Sequence, residues 1–295
     1  MKKGDFYGIY PAIFSVYDKD LNVLKDAVKE IVEYQLSNGV QGFYVCGNTG
    51  ECLTLPVETR KQMLEAVIEA NAGRGKIMAH VGAGHYTEVV ELIEHANTLD
   101  IDAIASLPPS LQRYYNEDET VEFYANIAKL SKHPVYAYVT PALNAEPVRF
   151  AERIDKIDNI AGIKMSIPDY FVFGKIVKNC PNLNVLNGPD ETILCGLVTG
   201  ADGAIGTTYN MLPKLACKIY NSFKNGDLKE ALRCQNKMND SISLFLGHNI
   251  DYWKSGLRLI GYDMGETVFP AKPTSNEDNI DLKEKLAKVG FFEEI

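Results

Sequence analysis

Several things are scarce in this 295-residue sequence, and each shortage closes off a class of protein. No apolar run approaches the roughly 18 residues that a membrane-spanning helix requires. The opening Met1-Lys2-Lys3-Gly4-Asp5 is not followed by the apolar core of a secretory signal. Six cysteines (Cys46, Cys52, Cys180, Cys195, Cys217 and Cys234) are scattered without a C-x-x-C pair, so they read as reduced thiols rather than as a disulfide framework or a zinc site. Basic residues are in deficit: 30 Lys and Arg stand against 39 Asp and Glu, a formal net charge of −9. That balance argues against nucleic acid or an anionic membrane as partner. With no targeting signal in view, the expected location is the cytoplasm. There is no solenoid repeat and no low-complexity segment.

What is present is enough apolar sequence for one large core, 46% against 23% charged. It is arranged in alternating strand and helix patterns. Strands are expected at 7–14, 42–46, 76–81, 103–107, 135–139, 160–165, 184–186 and 203–205, with amphipathic helices at 21–36, 57–72, 87–98, 120–130, 147–157, 171–179, 192–198 and 213–223. Eight βα units within about 250 residues favour an α/β fold of the (β/α)8 TIM-barrel kind over an open doubly wound sheet. After Gly226 the pattern changes to three helical stretches, 227–246, 250–260 and 276–289, with no strand between them. The expected organisation is therefore a catalytic barrel over 1–226 and a C-terminal helical extension over 227–295.

The stretch that most needs a chemical reason is Ile160-Ala161-Gly162-Ile163-Lys164-Met165-Ser166. A cation inside an apolar strand loses hydration for no structural return. Period-two alternation puts Gly162, Lys164 and Ser166 on one face, so small neighbours are expected to leave room for a ligand beside the lysine. Schiff-base lysines need this layout, because burial favours the unprotonated amine that attacks a carbonyl. A strand-end lysine that reaches solvent or pairs with a carboxylate would also fit, and the strand by itself leaves both open.

In a barrel the chemistry sits at the C-terminal ends of the strands. There the sequence offers Gly47-Asn48-Thr49-Gly50-Glu51 after the second strand, whose amides and side chains can converge on an anion or simply turn the chain. The fifth strand puts Tyr136 and Tyr138 on one face, as core or as a proton relay. Asn187-Gly188-Pro189-Asp190-Glu191 follows the seventh strand, with carboxylates that suit a polyol or a helix cap. Gly206-Thr207-Thr208-Tyr209-Asn210 follows the eighth. Gly82-Ala83-Gly84 lacks the third glycine of a dinucleotide fingerprint and reads as a turn. His80 and His85 have no third ligand at characteristic spacing, so no metal is expected. Tyr252, Trp253, Leu257 and Ile260 form an apolar stripe suited to packing or subunit contact.

Taken together, these motifs resemble the N-acetylneuraminate lyase and dihydrodipicolinate synthase family of class I, Schiff-base aldolases. The similar landmarks, in matching order, are Gly47-Asn48-Thr49-Gly50-Glu51 for G-[ST]-T-G-E, Tyr138-Val139-Thr140-Pro141 for Y-x-x-P and Gly162-Ile163-Lys164 for G-[IVL]-K. The resemblance implies Lys164 as Schiff-base lysine, Tyr138 as relay phenol, Asn48 and Thr49 as binders of the substrate carboxylate, no cofactor, and a homotetramer. Asn48 departs from the usual hydroxyl residue.

Within the family, the synthase branch carries an arginine two residues past the proline of its tyrosine motif; here that position is Leu143, which cannot clamp a carboxylate. Pro141-Ala142-Leu143, Gly188-Pro189-Asp190-Glu191 and Ile205-Gly206-Thr207-Thr208-Tyr209-Asn210 are instead similar to the lyase branch, which implies Gly188, Asp190, Glu191 and Thr207 as further substrate-binding residues. The implied reaction is retro-aldol cleavage of a sialic acid to pyruvate and N-acetylmannosamine. The competing expectations are a dihydrodipicolinate synthase, another aldolase or dehydratase of 2-keto sugar acids, and a catalytically silent pyruvate-binding protein. A tyrosine that family members lend to a neighbouring subunit falls here on Tyr114 or Tyr115.

Overall fold

In the computed structural model, residues 4–109, 115–141 and 143–295 are described. Eight strands follow one another along the chain: β1 (Gly8–Pro11), β2 (Gly42–Val45), β3 (Lys76–His80), β4 (Ala103–Ser106), β5 (Val135–Val139), β6 (Ile160–Met165), β7 (Asn184–Asn187) and β8 (Gly203–Gly206). Except at Lys76, every strand residue is buried, as parallel strands covered on both faces must be. They form one sheet of order β1-β8-β7-β6-β5-β4-β3-β2. A parallel bridge between Ala12 and Tyr44 brings β1 and β2 together. With a helix after each strand, this is a (β/α)8 barrel.

The eight barrel helices are α1 (Lys25–Ser37), α2 (Val57–Asn71), α3 (Tyr86–Ala96), α4 (Glu117–Leu130), α5 (Pro147–Ile154), α6 (Tyr170–Asn179), α7 (Ile193–Thr199) and α8 (Pro213–Lys224). Their boundaries follow from local chemistry. Helix α1 starts four residues later than its apolar periodicity suggests, because the Asp18 carboxylate accepts the amides of Asp20 and Asn22, both at 2.9 Å. That turn leaves Leu21 at φ +67°, outside a helix. Helices α3 and α4 begin with capping boxes built on His85 and Asn116, so His85 has a structural task. His80 has one as well, since its Nε2 accepts the Leu107 amide at 3.0 Å.

Three further helices complete the chain: α9 (Leu228–Ile242), α10 (Ile250–Arg258) and α11 (Asn276–Lys288). On α10 the apolar stripe packs locally, with Trp253 stacked on Phe245 at 5.0 Å between ring centroids. By compactness the chain divides into a unit of Met1–Gly8 with Lys76–Ile205 and a unit of Ile9–Gly75 with Gly206–Ile295. Among the described residues no helix is long and apolar enough to cross a membrane. All six cysteines are free thiols.

Candidate active site

Strand register decides which side chains meet around Lys164. In the β5–β6 ladder Tyr136 lies opposite Gly162 and Tyr138 lies opposite Lys164. Alternation makes the two tyrosines equivalent, but their surroundings separate them. Tyr136 is fully buried and donates to Asn184 Oδ1 at 2.8 Å, which ties β5 to β7 as core. Its ring occupies the space beside Gly162, where an added Cβ would come within 2.2 Å of the ring and 2.5 Å of the Asn184 carbonyl. This corrects the expectation for that glycine: its missing side chain admits an aromatic ring of the core and leaves no room for a ligand.

Tyr138 is placed differently. The Lys164 side-chain nitrogen lies 4.4 Å from its ring centroid, and the Ser166 hydroxyl donates to its phenolic oxygen at 3.3 Å. Lys164 is only 6% exposed and Tyr138 7%. Buried strand backbone on both sides fixes their separation, so an amine and a phenol stand together with little water around them. Such a pair can carry nucleophilic addition to a carbonyl and proton transfer at the neighbouring hydroxyl.

The turn after β7 is built against this pair. Gly188 donates its amide to the Met165 carbonyl at 2.8 Å. A Cβ there would lie 1.9 Å from the Ser166 hydroxyl and 2.8 Å from the Met165 carbonyl, so only glycine allows the approach. Asn187 braces the turn by donating to the Pro189 carbonyl at 2.8 Å. The Tyr170 hydroxyl at the start of α6 donates to Asn187 Oδ1 at 3.1 Å and also bonds the Thr192 hydroxyl. Burial pushes that phenol up to about 12, so it stays a donor. Asp190 is buried and Glu191 exposed, both in a short 3-10 turn ahead of α7. The cap position of α7 is Thr192, and no side chain bonds to the helix from it. Leu143 is half-buried, in a turn closed by its amide on the Thr140 carbonyl at 2.9 Å. Tyr115 is exposed at 40%, and Tyr114 lies outside the described residues.

The other unit carries the remaining candidates. Thr49 is buried and its hydroxyl shares a hydrogen bond of 2.6 Å with the Thr207 hydroxyl, which joins the turn after β2 to the turn after β8. Asn210 holds that second turn in shape by donating to the carbonyls of Ala12 at 2.7 Å and Thr207 at 2.8 Å. Asn48, next to Thr49, is exposed. It lines a cavity of about 310 Å³ with Leu53, Ile250, Val268 and Pro270. Around Lys164 and the turn after β7 the structure adds Tyr170, which the sequence did not point to, and gives hydrogen-bonding tasks to Ser166 and Asn187, which it offered only as a small neighbour and as part of a turn. For Ser166 the signal was its place on the lysine's face.

Among the described residues no group of three or more His, Cys, Asp or Glu is placed to hold a metal ion. The sequence model of a family of class I aldolases matches nearly the whole chain, and this chain is an enzyme of that class, a carbon–carbon lyase. It belongs to the dihydrodipicolinate synthetase family, whose sequence model matches residues 5–289. Solved structures similar to it include Proteus mirabilis N-acetylneuraminate lyase, 28% identical over 98% of this chain and 100% of that one, with a TM-score of 0.90. Mycoplasma synoviae N-acetylneuraminate lyase is 30% identical over 96% and 98%, with a TM-score of 0.88. A dihydrodipicolinate synthase is 26% identical over 97% and 100%, with a TM-score of 0.89.

Proposed function

We propose that this protein is an N-acetylneuraminate lyase, acting without a cofactor on a sialic acid in its open-chain keto form. The observation that carries the mechanism is the buried amine of Lys164 beside the Tyr138 phenol, 4.4 Å from its ring centroid. The Lys164 nitrogen adds to the keto carbon and water leaves, giving an iminium that draws electrons from the neighbouring bond. The bond between the third and fourth carbons breaks as the hydroxyl on the fourth loses its proton, with Tyr138 relaying that proton together with the substrate's carboxylate. N-acetylmannosamine departs as the aldehyde. The enamine left on Lys164 takes a proton at its terminal carbon, and water hydrolyses the resulting imine to release pyruvate. Asn48 and Thr49 hold the substrate carboxylate, while Gly188, Asp190, Glu191 and Thr207 serve the sugar chain. The working form is a cytoplasmic homotetramer.

The substrate reading rests on Leu143, which offers no charge to an aldehyde carboxylate, and on the acidic pair after β7. It is tested by pyruvate release from a panel of sialic acids and shorter keto acids, in wild type and in Glu191→Ala. If Glu191 accepts hydroxyls of a long chain, the substitution lowers kcat/KM for sialic acid at least about tenfold more than for 2-keto-3-deoxygluconate. An unchanged ratio would assign the acidic pair a structural role and remove the support for a sialic acid.

A further inference from the structure

The turn that carries Asn48 and Thr49 is bounded by two non-glycine residues in the left-handed region, Cys46 at φ +58° and Glu51 at φ +60°. Such backbone is disfavoured and persists only when its surroundings over-determine it. On the Cys46 side the fixing is by close backbone packing. A Cβ on Gly50 would meet the Cys46 Cα at 2.9 Å, and Ser15 donates to the Gly50 carbonyl at 2.8 Å.

On the Glu51 side the fixing comes from a charge. The Glu51 carboxylate receives the Lys254 ammonium at 2.8 Å on one oxygen and the Tyr17 hydroxyl at 2.7 Å on the other. Lys254 reaches in from α10 with its side chain wholly buried. It also donates to the Glu266 carbonyl at 3.1 Å and stands 4.5 Å from the Tyr17 ring centroid. The Tyr17 oxygen in turn accepts the Val268 amide at 3.2 Å. Burial lowers the affinity of Lys254 for its proton, and Glu51 works against that loss. A buried ion pair adds little stability over an apolar filling of the same shape, but this one holds the Glu51 carboxylate from both of its oxygens. The geometry it fixes here is the backbone of Glu51, two residues beyond Thr49.

We infer that Lys254, with Tyr17, is a positioning residue for substrate: by gripping Glu51 it holds the Gly47–Glu51 turn in the one conformation that presents Thr49 to a keto-acid carboxylate. This rests on the reading of that turn as the carboxylate binder. Release of Glu51 lets the turn relax from its left-handed end. The amide and hydroxyl of Thr49 then lose their aim, so affinity for the carboxylate falls while the chemistry at Lys164 survives at saturation.

The experiment is borohydride trapping of pyruvate on Lys164 as a function of pyruvate concentration, in wild type, Thr49→Val, Lys254→Met and Tyr17→Phe, with thermal unfolding of each. Thr49→Val is expected to raise the half-saturating concentration. Lys254→Met is expected to raise it about tenfold and Tyr17→Phe about threefold, with full trapping recovered at saturating pyruvate. The double variant Thr49→Val/Lys254→Met should rise no further than the larger single change, since both act through one group. A lower melting temperature with unchanged half-saturation in Lys254→Met and Tyr17→Phe, while Thr49→Val is affected, overturns the inference and leaves the carboxylate reading standing. No effect of Thr49→Val overturns both. If Lys254→Met does not fold, Tyr17→Phe decides.

Discussion

Replacing Tyr138 by phenylalanine removes one oxygen and almost nothing else. The ring stays in its strand position opposite Lys164, with the lysine nitrogen 4.4 Å from its centroid, so the packing around the amine is kept. What is lost from the fold is a single long hydrogen bond, the one Ser166 donates at 3.3 Å, worth about 0.5–1 kcal/mol. In a chain of this size that shifts the melting temperature by only about 1–2 °C. What is lost from the chemistry is the proton relay, and a positioned acid–base group contributes about 10²–10⁴-fold. The lower end of that range is about 2.7 kcal/mol of barrier. The expected result is therefore a kcat reduced about a hundredfold or more, a KM within about threefold of wild type, and slow but complete trapping of pyruvate on Lys164. Pyruvate release can be followed continuously through a coupled dehydrogenase. A kcat near wild type with a raised KM would refute the argument and make Tyr138 a binding group.

Two further substitutions test how the site is supported. Asp251 is buried, and its carboxylate binds Arg258 at 2.8 and 3.0 Å, the Thr267 hydroxyl at 2.5 Å and the Thr274 amide and hydroxyl at 2.6 and 2.8 Å. Burial favours its protonation, but these bonds outweigh that and hold its pKa well below the usual range. Its stabilisation is therefore complete above the unfolded carboxylate value of about 3.9 and fades as pH falls below it. Asp251→Asn should cost about 2 kcal/mol in urea unfolding at pH 7, with the gap to wild type narrowing below about pH 4; a gap independent of pH would show that the charge is not what matters. Gly162→Ala should cost about 1–3 kcal/mol, because the new methyl meets a backbone carbonyl and a hydrogen-bonded ring. An unchanged urea midpoint would mean that Tyr136 moves aside freely.

Local sequence was enough for the order of elements. Apolar runs and turn residues between them specify β5 and β6 at Val135–Val139 and Ile160–Met165, the spans expected from pattern alone, and eight such units specify a barrel. The odd lysine in β6 was legible for the same reason, since a charge in an apolar run stands out without reference to any partner. Tertiary structure decided what each residue faces. Alternation puts Tyr136 and Tyr138 on one side of β5, but the ladder to β6 sends the first to Gly162 and Asn184 and the second to Lys164 and Ser166. Neighbouring positions Asn48 and Thr49 look alike as anion binders in sequence, whereas the fold buries one against Thr207 and leaves the other exposed. The pairing of Glu51 with Lys254 has no local signature at all. Propensity and periodicity act over a turn of helix or a few strand residues, while burial, pairing and hydrogen-bond partnership depend on chain segments that only folding brings together.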